Sequence, residues 1–379
     1  MSIDGSNPVI KLQTLKNAAL ELGFDAAAWV SAVTPAQDIL AFQNWLEAGQ
    51  QAGMDYLERS VARRSDLTTT FAPAKSALVL MVSHNHTAPE KPTGGTRVGQ
   101  VARYAWSKDY HTTLKPVLSQ LEQIASQLGV ASKACIDHAP ILERGFAARA
   151  GLGWQGRSSQ IISTKLGALT TLAVLLTDLE VETGTPHPDR CGKCMACIQD
   201  CPTSAIMPNR TVDSRLCIAY YTVEHRGAVP IELRKKFGTH LFGCDDCLDI
   251  CPWTQHAGHF SGLLEPVPDF VYPDIEPWFL ESGSWFERQF AHSAFSRARR
   301  KGMARNAAIV LGNLRDEQHL WLLERGLTDL GWEVREASAW ALGCFGTLKA
   351  TGLLEKRRND SDPRVQKTIE RALSLEFCS

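Results

Sequence analysis

The chain has 379 residues, 21% of them charged, and a formal net charge of −1 at pH 7. This length favours two or three domains over a single core. A net charge this close to zero excludes a general polycation, so any contact with nucleic acid must come from a local basic patch. We also expect neither a membrane span nor a signal peptide. No apolar run approaches the ~20 residues that cross a bilayer, and the start lacks a basic and an apolar region.

Helical and strand patterns alternate in the amino-terminal part of the chain. The predicted elements are a helix over 8–23, a strand over 24–30, a helix over 35–52, a strand over 77–82, a helix over 112–128, a strand over 134–136, a helix over 141–150 and a strand over 168–176. Such alternation predicts an α/β or α+β sheet domain over residues 1–180.

A glycine motif in this domain resembles a dinucleotide fingerprint. Gly151-Leu-Gly153-Trp-Gln-Gly156 matches G-x-G-x-x-G. That fingerprint requires a strand before it and a helix after it, whereas here the preceding segment is helical and residues 159–163 are strand-like. We therefore predict no nicotinamide site, and expect these glycines to let the backbone approach something large and flat.

Seven cysteines form two runs, and an eighth lies between the runs. The first run is Cys191-Gly-Lys-Cys194-Met-Ala-Cys197-Ile-Gln-Asp-Cys201-Pro, the C-x₂-C-x₂-C-x₃-C-P pattern of bacterial two-cluster ferredoxins. The second run, Cys244-Asp-Asp-Cys247-Leu-Asp-Ile-Cys251-Pro, lacks one cysteine of this pattern, and Cys217 is its natural replacement. The pattern predicts two [4Fe–4S] clusters, and the last cysteine of each run ligates the cluster that the other run mainly holds.

The predicted ligand sets follow from this exchange. One set is Cys191, Cys194, Cys197 and Cys251, and the other is Cys201, Cys217, Cys244 and Cys247. Zinc sites usually need only two short knuckles, and a disulfide framework would need a secretory context. Three cysteines remain outside these sets: Cys135, Cys344 and Cys378. Free thiols beside clusters indicate a reducing compartment, so we expect a cytoplasmic protein.

The carboxy-terminal part shows an internal repeat of about 30 residues. The segment 334–343 echoes 304–312, and 363–373 is a weaker third copy. Paired helices at this period predict a short HEAT-like solenoid over 280–379. A basic run, Arg297-Ala-Arg299-Arg300-Lys301 followed by Arg305, lies at its start. By itself such a run is often a solvated surface.

Three polar clusters in the amino-terminal domain are candidate sites. They are Arg103-Tyr-Ala-Trp-Ser-Lys-Asp-Tyr-His111, Asp137-His138 with Glu143-Arg144, and Arg63-Arg64. Each has an ordinary alternative: a solvated aromatic loop, a helix-capping aspartate or an exposed basic pair.

Several of these motifs together resemble the epoxyqueuosine reductase family. They are the segment 103–111, Asp137 with Glu143-Arg144, Ala150-Gly-Leu-Gly-Trp154, Arg215-Leu-Cys217-Ile-Ala-Tyr-Tyr and the two cysteine runs. The similarity covers nearly the whole chain in the right order. It implies the last step of queuosine synthesis, in which the epoxide of epoxyqueuosine at the tRNA wobble position is reduced to an alkene. The implied fold is an α+β multidomain protein. It combines a cobalamin-binding α/β domain (1–180), a ferredoxin-like domain with two [4Fe–4S] clusters (181–265) and HEAT-like repeats (280–379) that contact tRNA.

The resemblance also implies a cofactor and site residues. Asp137 is the implied catalytic acid, and it can donate a proton at neutral pH only if burial raises its pKa. The implied cobalamin contacts are Asp137, Arg64, Ala102, Ile161, Ile162, Ser163, Leu172, Arg215, Ala219 and His225. Relatives have a cysteine at the position of Ala102, so a thiolate there is not needed. His138 lacks the D-x-H-x-x-G context of an axial ligand, which favours a base-off cofactor without a protein histidine.

Partners follow from the same resemblance. The expected substrate is tRNA carrying epoxyqueuosine in the anticodon loop, with Tyr, His, Asn and Asp acceptors, and a low-potential donor supplies electrons. We expect a monomer with phosphate contacts at Arg226, Arg297, Arg299, Arg300, Lys301 and Arg305. Two alternatives remain: a two-cluster electron carrier without chemistry of its own, and a reductive-dehalogenase-like cobalamin enzyme. The second is disfavoured by the missing twin-arginine signal and the basic repeat region.

Overall fold

The structure is a computed structural model that describes residues 7–182, 184–258 and 262–377. Two of the expectations above concern residues outside these ranges: Cys378, counted as a remaining thiol, and the first six residues, used to predict that there is no signal peptide. The strands are β1 Ala26–Ser31, β2 Ser76–Ser83, β3 Gln100–Val101, β4 Ser132–Cys135, β5 Trp154–Gln155, β6 Ile161–Ile162, β7 Thr170–Thr177 and β8 His240–Phe242.

The helices are short in the middle of the chain and longer at both ends. They are α1 Pro8–Glu21, α2 Ala36–Glu47, α3 Val61–Ser65, α4 Tyr110–Gln127, α5 Glu143–Arg149, α6 Ala196–Asp200, α7 Ile231–Arg234, α8 Asp246–Asp249, α9 Pro252–Gln255, α10 Pro268–Val271, α11 Glu276–Leu280, α12 Gly283–Phe290, α13 Arg299–Leu314, α14 Leu320–Gly326, α15 Trp332–Phe345, α16 Leu348–Glu355 and α17 Pro363–Leu373. Within the described ranges, no helix combines the length and apolarity needed to span a membrane.

The chain forms two compact units, and each is assembled from separate pieces of sequence. The first comprises the described residues of 1–87, 107–215 and 245–265, and the second those of 88–106, 216–244 and 266–379. The segment 181–265, predicted as a cluster domain, is therefore divided between the two units.

A four-stranded sheet in the order β1-β2-β7-β4 is the centre of the first unit, and every neighbouring pair is antiparallel. This pairing identifies the unit as α+β. All residues of β2 are buried, because helices cover both faces of the sheet. Leu78 and Leu80 pack with α1 and α4 on one face. Val79 and Met81 pack with α5 on the other.

Helix α4 places polar side chains at one end of this sheet. Its apolar residues Leu114, Leu118 and Leu121 recur at helical spacing and are buried. Asp109 caps the helix by accepting a hydrogen bond from the backbone N–H of His111 at 2.8 Å. The cap fixes the first turn, and with it the side chains of Tyr110 and His111.

The second unit is dominated by the carboxy-terminal helices. Helices α13, α15 and α17 carry the three copies of the predicted repeat. The first two are buried along most of their length, and α17 is buried on one face. Their close approach requires small residues, since a Cβ on Gly312 would lie 2.8 Å from the Cα of Ala341. Successive repeat helices therefore share one continuous core, as the predicted solenoid requires.

A buried ion pair stabilises this second unit. Arg234 and Glu336 are 1% and 5% exposed, and their side chains meet at 2.7 Å. We expect Glu336→Gln to lower the free energy of unfolding by about 3–5 kcal/mol, because it leaves the Arg234 charge buried without its counter-ion. Chemical denaturation measures this loss. The control is Glu324→Gln, at an exposed position on α14, which should change the free energy of unfolding by less than about 0.5 kcal/mol. Equal losses of stability in the two variants would contradict a stabilising role of the Arg234–Glu336 pair.

One local prediction differs from the structure. The sequence of residues 213–227 predicts a helix that carries Cys217, but Cys217 precedes a helical turn that ends in a π-helical segment, Tyr220–Glu224. The Asp213 carboxylate accepts from the backbone N–H of Arg215 at 3.0 Å, which fixes a turn where the helix was expected to begin.

The glycine motif has the predicted order of elements, with α5 before it and the β5–β6 hairpin after it. Its glycines allow close contact with the neighbouring strand, and the approach of something large and flat to this backbone stays a prediction. A Cβ on Gly153 would lie 2.2 Å from the carbonyl oxygen of Ile162, and one on Gly156 would lie 2.3 Å from the Ile162 side chain.

Candidate active site and cluster-binding site

Asp137 lies in the loop between β4 and α5, in a backbone conformation that few residues adopt. Its φ is +47°, in the left-handed region where Asp and Asn are tolerated better than most residues. The loop is held at this point by the first residue of α5, because the backbone N–H of Asp137 donates to Oε1 of Glu143 at 3.0 Å. The Asp137 side chain is 61% exposed, so it is accessible to a bound substrate.

Two side chains from the first turn of α4 contact the Asp137 carboxylate. The Tyr110 hydroxyl donates to Oδ2 at 2.7 Å, and Nε2 of His111 lies 3.5 Å from the same oxygen. On its other side, Nδ1 of His111 lies 2.8 Å from Oδ1 of Asp109. The His111 ring stacks between those of Tyr110 and His138, with ring-centroid distances of 4.2 and 4.6 Å. The imidazole is therefore held between two carboxylates.

These contacts determine where protons reside. The hydrogen bond from His111 lowers the pKa of Asp137 below its ordinary value and outweighs the partial desolvation of the carboxylate by its neighbours, and Tyr110 adds to the lowering. Burial opposes the charged form of His111, but hydrogen bonds to Asp109 and Asp137 outweigh it and raise the pKa of His111 to about 9. Burial, reinforced by the Asp137 charge, raises the pKa of Glu143 to about 8.

The expected protonation of Asp137 is therefore corrected. A raised pKa was the condition for proton donation by Asp137, whereas the structure lowers it. At neutral pH the available protons lie on His111 and Glu143, both within reach of the Asp137 loop. The arrangement can deliver a proton through Asp137 but stores it on a neighbouring group.

In the first unit, the other residues predicted to contact cobalamin differ in their burial and in their hydrogen-bond partners. Arg64 is part-buried and donates to the carbonyl of Ile141 at 2.8 Å. Ile161 and Leu172 are buried in the same apolar core, and Ile162 and Ser163 are buried as well. Arg215 is exposed and pairs with Asp213 at 2.7 Å. A cofactor could contact the strand residues mainly through their backbone.

Three predicted contacts belong to the second unit. Ala102 is buried, and a Cβ added to Gly243 would lie 2.5 Å from the Cβ of Ala102, so position 243 requires glycine unless its neighbours move. His225 is occupied by the protein, since its Nε2 bonds the carbonyl of Ala228 at 3.0 Å. Ala219 directly precedes the π-helical segment. The absence of a histidine ligand to the cofactor stays a prediction from the sequence.

Four of the predicted cluster ligands line one pocket of about 190 Å³ in the first unit. These residues are Cys191, Cys194, Cys197 and Cys251, and Cys247 lies at the same pocket. Burial, and then the charges of Cys191, Cys251 and Cys194, raise the pKa of the Cys197 thiol. The Trp154 indole N–H also points to Sγ of Cys191, at 3.3 Å. A pocket of soft thiols with an N–H···S donor fits an iron–sulfur cluster.

Local packing positions the distal ligand of this set. Gly167, at φ +69°, lies in the turn before β7, and a Cβ there would come within 2.7 Å of the Cα of Thr254. The Thr254 hydroxyl accepts from the backbone N–H of Ala168 at 3.1 Å. Both contacts fix α9, which begins at Pro252, immediately after Cys251. The glycine is needed here because the two backbones approach each other closely.

The second predicted ligand set contains residues of both units. Cys201 and Cys247 belong to the first unit, and Cys217 and Cys244 to the second. The backbone N–H of Ala205 donates to Sγ of Cys201 at 3.3 Å. Nε2 of His240 lies 3.7 Å from Sγ of Cys244. This set stays a prediction from the cysteine spacing.

The basic residues predicted to contact RNA separate into buried and exposed groups. Arg300 is buried and pairs with Asp329 at 2.7 Å. Arg305 is 1% exposed and donates to the carbonyls of Tyr221, His225 and Gly227. Burial argues against phosphate contact by Arg300 and Arg305. The exposed residues are Arg226, Arg297, Arg299 and Lys301.

The structure places several residues in these sites that the sequence patterns do not single out. Asp109, Tyr110, His111 and Glu143 are visible in the sequence only as members of polar clusters. The available signal was the Asp-Tyr-His order at a helix start, which presents an imidazole in the first turn. Trp154 had been noted only within the glycine motif.

Comparisons with known proteins agree with these sites. Residues 190–254 match the family model "4Fe-4S double cluster binding domain", residues 64–138 match "Epoxyqueuosine reductase QueG, DUF1730", and residues 292–374 match "HEAT repeats". Asp137 lies within the second match, and the seven cysteines of the two runs and Cys217 lie within the first. The pocket of thiols and the acid–base cluster thus define an iron–sulfur oxidoreductase.

Relatives and solved structures identify the family. The epoxyqueuosine reductase of Escherichia coli K12 is 34% identical over 82% of this chain and 84% of its own, and that of Pseudomonas aeruginosa is 32% identical over 90% and 96%. The chain belongs to the epoxyqueuosine reductase family. A crystal structure of an epoxyqueuosine reductase with an epoxyqueuosine-modified tRNA-Tyr stem loop is similar, with a TM-score of 0.90 and 27% identity over 98% of this chain and 100% of that one.

A Bacillus subtilis epoxyqueuosine reductase, solved with its catalytic aspartate loop swung out of the active site, has a TM-score of 0.90. It is 26% identical to this chain, over 97% of this chain and 100% of that one.

Proposed function

We propose that this protein reduces epoxyqueuosine to queuosine at the wobble position of tRNA, with Asp137 as the catalytic acid. The observation that carries the assignment is the exposed Asp137 carboxylate, which is hydrogen-bonded to Tyr110 and faces a protonated His111. Membership in the family and the similar structure with a modified tRNA stem loop support the substrate.

The reaction takes up two electrons and two protons. Both C–O bonds of the epoxide break, a C=C bond forms, and the oxygen leaves as water. Clusters transfer one electron at a time, so Cys191, Cys194, Cys197 and Cys251 would hold one relay for electrons from a low-potential donor. Cobalamin, which the family resemblance implies, would supply the strongly reducing centre that no side chain provides.

The chain's own residues would orient the substrate and supply protons. Asp137 would protonate the epoxide oxygen, with Tyr110 fixing the carboxylate through its 2.7 Å hydrogen bond. Glu143 would hold the loop by accepting the Asp137 backbone N–H. Arg64 and the strand residues Ile161–Ser163 would contact the cofactor. We further propose that the protein acts as a cytoplasmic monomer on the tRNAs for Tyr, His, Asn and Asp.

The test is anaerobic conversion of tRNA that carries epoxyqueuosine. Protein reconstituted with iron, sulfide and cob(II)alamin should yield queuosine in the digested tRNA, and the cobalt EPR signal should change on binding. Bound iron without a change in the cobalt signal and without product would favour the electron-carrier alternative.

Exposed basic residues at the start of the repeat region would bind the RNA backbone. Arg299 and Lys301 are exposed. We expect Arg299→Ala and Lys301→Ala each to weaken tRNA-stem-loop binding and to reduce the slope of log K against log salt by about 1. Lys356→Ala, an exposed lysine on the same unit, is the control and should leave the slope unchanged. Equal slopes in all three variants would remove Arg299 and Lys301 from the proposed interface.

A further inference from the structure

We propose that Asp109 and His111 form a proton relay that loads Asp137 before each of the two proton transfers of the reaction. The proposal rests on the proposed function, and it concerns how a single carboxyl group can serve a reaction that needs two protons. His111 acts through Asp137 and is therefore a positioning and proton-supplying residue.

The requirement comes from the balance of the reaction. One proton goes to the epoxide oxygen as the first C–O bond breaks. The second goes to the resulting hydroxyl group as the second C–O bond breaks and water leaves. The two electrons come from the low-potential donor through the clusters. The lowered pKa of Asp137 leaves it a carboxylate at neutral pH, so it must receive a proton from a neighbouring group before each of the two steps.

The geometry connects such a supply to Asp137. Nδ1 of His111 lies 2.8 Å from Asp109 Oδ1, and Nε2 lies 3.5 Å from Asp137 Oδ2. A ring with a carboxylate at each nitrogen is stabilised when both nitrogens carry hydrogen, which is the imidazolium form. Donating the Nε2 proton to Asp137 leaves a neutral imidazole whose Nδ1–H still bonds Asp109. This fixes the tautomer that the relay needs.

Accessibility matches the roles of the three groups. The side chains of Asp109 and His111 are 22% and 29% exposed, whereas that of Asp137 is 61% exposed. The His111 ring is held by stacking on Tyr110 and His138, yet it stays accessible enough to take up a proton from water. Asp137 is the member that can reach the substrate.

The charged surroundings of the relay come from several elements. Asp109 and Tyr110 lie at the start of α4, Asp137 and His138 in the loop after β4, and Glu143 at the start of α5. Arg64 of α3 also acts electrostatically on Glu143. The pKa of His111, raised to about 9 by its two carboxylate partners, is consistent with a ring that holds its proton at neutral pH.

Asp109 also caps α4, so a purely structural role must be separated from the relay. Asn is as good an N-cap as Asp but carries no charge. Asp109→Asn therefore preserves the helix start and removes only the charge on the Nδ1 side of His111. His138→Gln is the matched control, because it changes the other histidine of the ring stack without altering either hydrogen bond of His111.

The experiment measures single-turnover reduction of epoxyqueuosine tRNA against pH, together with the imidazole titration of His111 by NMR in the full-length protein. We expect the wild-type rate to fall as pH rises through about 9, the pH at which His111 loses its proton. Asp109→Asn should shift this fall, and the His111 titration, to lower pH. His111→Gln should remove the fall near pH 9 and slow the reaction about 10²-fold at pH 8. His138→Gln should retain the fall.

The outcomes separate the relay from the proposed function. An active wild type whose pH profile is the same in His111→Gln and Asp109→Asn would overturn the relay alone. So would a His111 titration at the ordinary value, or a His138→Gln profile that changes as much as that of His111→Gln. A wild type that makes no queuosine would overturn the proposed function and the relay with it.

Discussion

Asp137→Asn is expected to slow epoxide reduction by about 10²–10⁴-fold, the usual contribution of general acid catalysis. The amide cannot transfer the proton that His111 supplies, so the substrate oxygen would have to take its proton from water. The substitution also removes the negative charge that helps to raise the pKa of His111 and of Glu143, but it retains the backbone of the loop. Asn tolerates the positive φ of this position, and the backbone N–H that donates to Glu143 is retained. Mass spectrometry of nucleosides from digested tRNA measures the rate in single turnover.

The control for this variant is Asp55→Asn, an exposed carboxylate in the same unit, which should react at the wild-type rate. Iron content and the cobalt EPR signal should be unchanged in both variants. A rate for Asp137→Asn within about threefold of wild type would exclude Asp137 as the acid, because general acid catalysis typically contributes far more.

Cys251→Ser is expected to remove one cluster and abolish turnover. The thiol of Cys251 lines the same pocket as Cys191, Cys194 and Cys197, although it is distant from them in sequence. A serine hydroxyl is a poor substitute for the thiolate that clusters require. Anaerobically reconstituted protein should therefore bind about four irons per chain, where two four-iron clusters require about eight.

Cys135→Ser provides a matched control for the loss of a thiol. Cys135 is buried in β4, and burial raises the pKa of its thiol to about 11, so it is an inert core residue. This variant should bind about eight irons, as two clusters require. Full iron in Cys251→Ser would contradict the ligand assignment. A loss of iron in Cys135→Ser would show that iron content reports general stability.

The sequence was most informative where chemistry is encoded by local spacing. The cysteine runs identified a double-cluster segment, and the repeat of about 30 residues identified the carboxy-terminal helices, because each signal lies within a short window. The relative direction of the strands in the sheet was harder to predict from the sequence. Alternating helices and strands fit a parallel or an antiparallel sheet, and the choice depends on pairing between distant strands.

The proton chemistry of the site was the hardest part to predict. The direction of the Asp137 pKa shift depends on His111, which is far from it in sequence and reaches it through the packing of α4 on the sheet. The basic run shows a similar limit. Arg299 and Lys301 are exposed, whereas Arg305 lies between small residues on a helix face turned into the core. Net charge along the sequence does not distinguish these environments.

The interleaving of the two compact units has a consequence for biosynthesis. Segments of the two units alternate along the sequence, and each unit includes a segment from the carboxy-terminal half of the chain. Neither unit can therefore finish folding early during translation. Cys251 follows Cys197 by 54 residues. At about 5–20 residues per second, the ribosome needs roughly 3–10 s to add this stretch. During that interval three thiolates of the first cluster set wait for their fourth ligand, so cluster delivery belongs late in synthesis or after chain release.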